Sequence, residues 1–458
     1  MSSAFRGLPL RPPLLEALEH VGYGEMTPIQ AQALPLLLAG KDVTGQAKTG
    51  SGKTAAFGLA LLNAVDLAVP TPQALVLCPT RELAEQVAGE VRRLAARMPN
   101  ACVLTVCGGH SLRDQTRTLA HGAQVVVGTP GRLGQHLREG TLDLSGVGVL
   151  VLDEADRMLD MGFIEEVAAI VDRCPGDRQT LLFSATFPDP ILALSRRVQR
   201  EPQHVAVESR VEPEKLRQLV FECAPQERPW LVADLLAEYR PETSLLFCET
   251  RNDCEAFADL LTGEGARALV LHGQMDQRDR DDVLIQFANG SVSVLVATNL
   301  AARGLDIPSL PMVIITELSP DPETYLHRIG RTGRAGEVGL ALTLVVPGER
   351  WRLERTERFM GAPLERGAMP PRSDGLAFLT PPNRTLLIHA GRKDKLRKGD
   401  VLGALVKEGG LPPEAVGRID LMPRACAVAV DRKYAGQALH HLRSGSVKKK
   451  HLRARLLD

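Results

Sequence analysis

Three stretches of this 458-residue chain combine residue types and spacings that could do chemistry on a phosphorylated molecule. In Ala47-Lys48-Thr49-Gly50-Ser51-Gly52-Lys53-Thr54, glycines let backbone N–H groups approach phosphate oxygens at the start of a helix. Lys53 would reach the outer phosphates, and the Thr54 hydroxyl would reach a Mg2+ ion. About a hundred residues on, Asp153-Glu154-Ala155-Asp156 follows an apolar run. A carboxylate leaving a strand there can hold the metal (Asp153), and its neighbour (Glu154) can polarise an attacking water. Finally, His327-Arg328-Ile329-Gly330-Arg331-Thr332-Gly333-Arg334 sets three permanently charged guanidinium groups among glycines, a pattern that calls for an anionic partner.

These stretches need elements to position them. Through residue 347 the chain alternates short, continuously apolar runs with stretches of helical spacing. The runs are ALVLCPT (74–80), ACVLTVCGG (101–109), AQVVVGTPGR (123–132), GVLVLDEAD (148–156) and QTLLFSAT (179–186). After a polar stretch near 208–215 follow SLLFCET (244–250), ARALVLHG (266–273), VSVLVATN (292–299) and PMVIITEL (311–318). Runs of this kind suit strands covered on both faces, and intervening helices imply parallel sheets with crossovers. The pattern predicts two doubly wound parallel-sheet α/β domains, over 1–207 and 208–360. Ligands in such sheets bind beyond the carboxyl ends of the strands, where the Gly, Thr, Asp and Arg residues fall. Residues 361–383 are rich in Gly and Pro and read as a linker. Residues 384–458 follow a βαββαβ order, which predicts a ferredoxin-like unit of the RNA-recognition type.

Charge and composition narrow the classes. Lys plus Arg and Asp plus Glu are both 55, so the whole chain carries no polyelectrolyte signature. The balance is local: residues 384–458 hold 17 Lys/Arg against 7 Asp/Glu, which makes this segment a basic module on an otherwise acidic chain. No apolar run approaches the ~18 residues that span a bilayer, and the first twenty residues carry no signal-peptide core. No membrane partner and a cytoplasmic location are therefore expected. The eight cysteines never occur as CxxC, so neither a zinc knuckle nor a disulfide framework is expected.

Together these residues resemble the DEAD-box RNA helicases. The resemblance rests on Thr27-Pro28-Ile29-Gln30, the loop 47–54, Pro79-Thr80-Arg81-Glu82-Leu83-Ala84, Gly108-Gly109, Thr129-Pro130-Gly131-Arg132, the DEAD tetrad and Ser184-Ala185-Thr186. It continues through SLLFCET, LHGQMDQRDR (271–280), ATNLAARGLDI (297–307) and HRIGRTGR, in the family's order and from residue 5 to about 347. It implies two tandem RecA-like domains using ATP and Mg2+, with Lys53, Asp153, Glu154, Arg331 and Arg334 as the catalytic set. Gln30 would read the adenine edge, with Phe5 and Tyr23 packed nearby and Asp306 on the ribose. Ala47, Lys48, Thr49, Gly50, Ser51, Gly52, Lys53 and Thr54 would cradle the phosphates, and Thr54 and Asp153 would hold the metal. Ser184, Thr186 and His327 would couple nucleotide to domain closure. Pro79, Thr80, Arg81, Gly109, Thr129, Arg132, Gly273 and Thr298 would lie along the RNA backbone, contacts that position a strand without reading its sequence. Two positions depart from the family pattern: Asn299 stands where Asp is usual, and Met26 replaces a frequent Pro.

The basic module resembles the RNA-binding domain of the DbpA branch, which is directed to a hairpin of large-subunit ribosomal RNA. RKGDVLGAL (397–405), VGRIDL (416–421) and HLRARLL (451–457) carry that likeness. Its third strand, ACAVAVD (425–431), has no aromatic residue to stack a base. Recognition is therefore expected from Arg392, Lys393, Lys395, Arg397, Lys398, Lys448, Lys449 and Lys450. The expectation is a monomeric RNA-stimulated ATPase that unwinds short duplexes, with ribosomal RNA and pre-ribosomal particles as partners. The alternative is an ATP-gated RNA clamp or assembly scaffold without productive unwinding.

Overall fold

The computed structural model describes residues 5–47, 51–207, 216–302, 310–333, 338–444 and 452–457. Two compact units divide near residue 210. The first contains a seven-stranded sheet made of β1 (Val43–Gln46), β2 (Ala74–Leu77), β3 (Val103–Val106), β4 (Val125–Gly128), β5 (Val149–Asp153), β6 (Gln179–Ser184) and β7 (Gln203–Ala206). Their order is β3-β4-β2-β5-β6-β1-β7, and every pairing is parallel. β2, β4 and β5 are buried along their whole lengths, as their uninterrupted apolar runs predict. The helix Arg81–Leu94 shows the complementary pattern: Leu83, Ala84, Val87, Ala88, Val91 and Leu94 form one buried stripe at helical spacing.

The second unit repeats the design. Its sheet comprises β8 (Leu216–Glu222), β9 (Ser244–Cys248), β10 (Ala268–Leu271), β11 (Val294–Thr298), β12 (Met312–Ile315), β13 (Gly339–Val345) and β14 (Glu365–Arg366). They are ordered β10-β11-β9-β12-β13-β8-β14, again parallel throughout. The C-terminal module is a four-stranded antiparallel sheet of β15 (Asn383–Ile388), β16 (Val416–Leu421), β17 (Cys426–Asp431) and β18 (Ala454–Leu456), ordered β16-β17-β15-β18. That is the expected ferredoxin-like arrangement.

The stretch 361–383 behaves differently from a free linker. Glu365 and Arg366 add the edge strand β14 beside β8, while Leu376 and Leu379 enter the core of the second unit. Asp234 receives hydrogen bonds from Arg372 and from the Ser373 backbone. The segment is a strap because a few apolar anchors and satisfied polar groups outweigh its Gly/Pro composition. The C-terminal module is likewise part of the second unit. One face of its sheet, carrying Leu386, Ile388, Val428 and Val430, covers the module's own helices. The opposite face sets Leu387, Ala427 and Leu457 against Ile285. There Arg455 pairs with Asp282 at 2.7 Å, and Thr385 exchanges a 2.8 Å hydrogen bond with Ser291.

Candidate functional site

The carboxyl edge of the first sheet gathers the predicted chemistry. β1 ends at Gln46, and the helix Lys53–Ala64 begins after Gly52, which sits at φ +93° in the left-handed region open to glycine. A Cβ there would lie 2.7 Å from the Gln30 amide nitrogen and 2.8 Å from the Thr27 hydroxyl. Gln30 fills that space itself. Its Nε2 donates to the Gly52 carbonyl at 3.0 Å, and its Oε1 accepts from the Thr27 backbone at 2.9 Å. This residue, expected to read adenine, therefore also joins its own loop to the phosphate loop.

Lys53 is almost fully buried, with Nζ 2.6 Å from Asp153 Oδ1 and 3.9 Å from Glu154 Oε1. Burial works against both charges, lowering the pKa of Lys53 and raising that of Asp153. The two carboxylates nonetheless carry the ammonium's net shift upward, so the proton stays on Lys53. Burial and the same carboxylates push the Cys78 thiol well up, which keeps it an inert neutral group. Glu154 is buried at φ 52° and ψ 55°, a left-handed backbone that costs a non-glycine residue about 1 kcal/mol or more.

The fourth residue of the tetrad has a clear structural role that its sequence position does not reveal. Asp156 Oδ2 accepts from the Thr186 backbone at 3.2 Å and from its hydroxyl at 3.3 Å, and the Asp156 backbone donates to Ser184 Oγ at 3.1 Å. Gln46 Nε2 completes the link with a 3.2 Å bond to the Ala185 carbonyl. The acidic turn after β5 and the Ser-Ala-Thr turn after β6 thus form one hydrogen-bonded unit. On the flank, Phe5 meets Tyr23 edge-on at 6.1 Å, and Tyr23 donates to Glu90 at 2.7 Å. Burial and Glu90 push the tyrosine hydroxyl up to about 12.

The loops expected along RNA leave the same edge. Arg81 lies over Gly109, whose added Cβ would fall 2.0 Å from Arg81 Nη2; Gly109 also sits at φ +73°. Thr80 caps the helix behind Pro79 by accepting from Leu83 N at 3.3 Å. Thr129 precedes Pro130–Arg138 without spending its hydroxyl on a cap. Arg132 reaches Gln115 Oε1 at 3.2 Å, and His136 Nε2 meets the same oxygen at 3.1 Å. Burial and Arg132 lower the His136 pKa, so its ring is neutral. Gln115 and His136 were missed by sequence reasoning because helix residues 17 and 21 positions apart from their partners carry no local signal.

In the second unit, Gly273 and Thr298 stand at or just beyond the ends of β10 and β11. The helix Pro322–Ile329 carries His327 and Arg328. Arg328 is wholly buried: it pairs with Glu249, donates to the Glu317 carbonyl at 2.7 Å and lies 5.6 Å from the Phe247 ring centre. Arg331 is also buried, and its carbonyl accepts from Leu310 N at 3.0 Å. In the C-terminal module, Arg392, Lys393, Lys395, Arg397 and Lys398 are all exposed on the turn after β15 and the start of the next helix. The other face of that sheet is occupied by the second unit, which accounts for the missing aromatic platform. Lys48, Thr49, Gly50, Asp306, Arg334, Lys448, Lys449 and Lys450 lie outside the described residues. No helix among the described residues is long and apolar enough to cross a membrane.

Comparison with known proteins agrees with this arrangement over the whole chain. Residues 27–194 match the DEAD/DEAH box helicase family, 227–336 the helicase conserved C-terminal domain, and 385–456 the DbpA RNA binding domain. The ATP-dependent RNA helicase DbpA of Escherichia coli is 48% identical over 99% of this chain and 100% of its own length. The DEAD-box ATP-dependent RNA helicase CshA of Geobacillus kaustophilus is 42% identical over 82% of this chain and 80% of its own. Among solved structures, Saccharomyces cerevisiae Dbp5 bound to RNA and ADP BeF3 superposes with a TM-score of 0.73 at 30% identity, over 80% of this chain and 96% of that one.

Proposed function

The chain belongs to the DEAD-box family of ATP-dependent RNA helicases, and from that premise we propose that it separates short RNA duplexes locally during assembly of the large ribosomal subunit. RNA-dependent ATP hydrolysis is the activity of the class. The observation that carries its assignment to named residues is the buried Lys53–Asp153 pair beside Glu154, placed at the same sheet edge as Arg81, Gly109 and Arg132.

Lys53 serves the outer phosphates from the N-terminus of its helix, where backbone N–H groups favour an anion. The buried Asp153 carboxylate and the Thr54 hydroxyl are hard oxygen donors of the kind Mg2+ takes. A bound Mg2+ would neutralise charge on the β- and γ-phosphates. Glu154, buried on its left-handed turn beside Lys53, orients the attacking water. The Asp156–Thr186 link passes any movement of this acidic turn to Ser184 and Thr186. Arg331 and Arg334 act on the terminal phosphate, with Asp306 on the ribose and His327 supporting them. Pro79, Thr80, Thr129, Gly273 and Thr298 join Arg81, Gly109 and Arg132 along the RNA backbone.

The basic turn 392–398 confers the preference for ribosomal RNA by loop contacts. Holding it near the core raises the local RNA concentration without any new core contact. The eight cysteines are all free thiols, which suits action in the reducing cytoplasm, and the protein acts as a monomer. The test is strand displacement with ATP and an unlabelled trap, on a duplex flanked either by a large-subunit ribosomal hairpin or by unrelated RNA. Faster release from the hairpin substrate is expected, by about 10-fold. Replacing Arg392, Lys393, Arg397 and Lys398 together by Glu should remove that difference. Tight binding without strand release would instead make the protein a clamp.

A further inference from the structure

One cluster at the carboxyl edge of the first sheet has no part in the reading above. Glu85 lies one turn into the helix Arg81–Leu94, Cys107 follows β3 directly, and His110 closes the turn before the helix Leu112–His121. His110 Nε2 is 2.9 Å from Glu85 Oε1, and one ligand atom from each of the three residues lies within 4.8 Å of the others. A tetrahedral zinc ion holds its donors at about 2.0–2.3 Å, which places them roughly 3.3–3.6 Å from one another. The Glu85–His110 pair therefore needs to open by about half an ångström and the longest separation to close by little more than about one ångström, within reach of side-chain rotation at two half-exposed residues.

We propose that Glu85, Cys107 and His110 bind a divalent cation of the zinc class, with the fourth position left to water. Thiolate and imidazole select such borderline-soft ions over Mg2+, which prefers oxygen donors. The site is thus chemically distinct from Asp153 and Thr54. Surrounding groups already orient the ligands, as metal sites require. The Thr105 hydroxyl lies 3.4 Å from Glu85 Oε2 and is itself held by Arg92 at 2.6 Å. Gln115 Nε2 donates to the Cys107 carbonyl at 2.9 Å. Cys107 is fully buried while Glu85 and His110 face solvent, so an ion would enter from one side and seal the thiolate beneath it. It would also fix the turn containing Gly108 and Gly109, against which Arg81 rests.

The experiment uses the full chain, reduced, metal-free and without Mg2+, titrated with Co2+ as the probe. One equivalent should produce a thiolate-to-cobalt charge-transfer band together with the visible bands of a four-coordinate ion, and Zn2+ should displace both. Cys107→Ser should abolish the charge-transfer band, Cys102→Ser should keep it, and His110→Gln or Glu85→Gln should weaken Co2+ binding by about 10-fold or more. Absence of the charge-transfer band in the unsubstituted protein would overturn the proposal whether or not any variant folds. So would its persistence in Cys107→Ser, or unchanged Co2+ affinity in both His110→Gln and Glu85→Gln.

Discussion

After β1 the chain passes through Gly52 into the helix Lys53–Ala64; after β8, at the same place in an identically ordered sheet, it passes through Cys223-Ala224-Pro225-Gln226-Glu227 into the helix Arg228–Tyr239. The likeness extends to the ends of the fifth strands. Asp153 meets Lys53 at 2.6 Å, and Glu317, two residues beyond β12, meets Arg228 at 3.7 Å. Both sheets thus bring a cation after their first strand to a carboxylate at or just beyond the end of their fifth. They differ in what surrounds the pair. Lys53 is sealed directly after the glycine-rich loop 47–52. Arg228 has no such loop and spends its guanidinium on Glu349 at 2.6 Å as well. Topology alone supplies the ion pair, and only the first copy of it follows a glycine-rich stretch.

That contrast can be broken by experiment. Lys53→Ala should lower RNA-stimulated ATP turnover by about 10²–10³-fold, the effect of removing one preorganised charge from a reacting phosphate. Turnover within a few-fold of the unsubstituted enzyme would show the pair to be structural in both sheets. Arg228→Ala should instead lower stability by about 1–3 kcal/mol, read from urea unfolding, because it removes the ion-pair partner of the buried Glu349 and leaves Glu317 with Arg352 alone. Its turnover per folded molecule should change less than about twofold; a loss comparable to that of Lys53→Ala would erase the distinction.

Smaller effects sharpen it. Gly109→Ala places a Cβ on the Arg81 guanidinium in a left-handed conformation, at a cost of about 1–2 kcal/mol. The RNA concentration giving half-maximal ATPase should rise about 10-fold, with the KM for ATP unchanged. Gly40→Ala, at a similar φ of +72° but with no atom within 4 Å, should leave RNA affinity alone; an equal loss there would remove Arg81 from the explanation. The second sheet also repeats part of the Glu85–His110 cluster, as Glu255 and His272 at 3.6 Å, but without a thiol. Cys107 and Glu85 push the His110 imidazole up to about 10. A raised pKa means that the fold favours the protonated ring. Its contribution is therefore complete below the ordinary histidine pKa and fades as pH rises through about 10. With chelator present, the advantage of the unsubstituted protein over His110→Gln in denaturant midpoint should shrink from pH 6 to pH 10. Solvent screening limits it to about 1 kcal/mol or less, and an advantage that grew with pH would contradict the assignment.

Much of the fold was legible because β2, β4, β5 and their counterparts are continuous apolar runs. Such runs are stable only where both faces are covered. The strap 361–383 was not legible: its composition is that of a linker, and only Leu376, Leu379 and the hydrogen bonds to Asp234 hold it down. The docked face of the C-terminal sheet was equally hidden, since Leu387, Ala427 and Leu457 would read the same whether they faced protein, RNA or water. Within the tetrad, the strand end singled out Asp153, which binds Lys53, but nothing local showed that Asp156 binds Thr186. In the arginine cluster, nothing local set apart Arg328, buried on Glu249.

What the sequence determined by itself is the inventory: two sets of buried strands, one glycine-rich loop, one acidic tetrad, one basic end. Residue type and local period specify these, because each depends on neighbours within a few positions. Tertiary structure decided which charges meet. Lys53 and Asp153 are a hundred residues apart, and Glu85 on its helix meets Cys107 and His110 from the loop after β3. Their proximity is set by the crossing of parallel strands, whose register brings distant carboxyl ends to a common edge, and no local period encodes it.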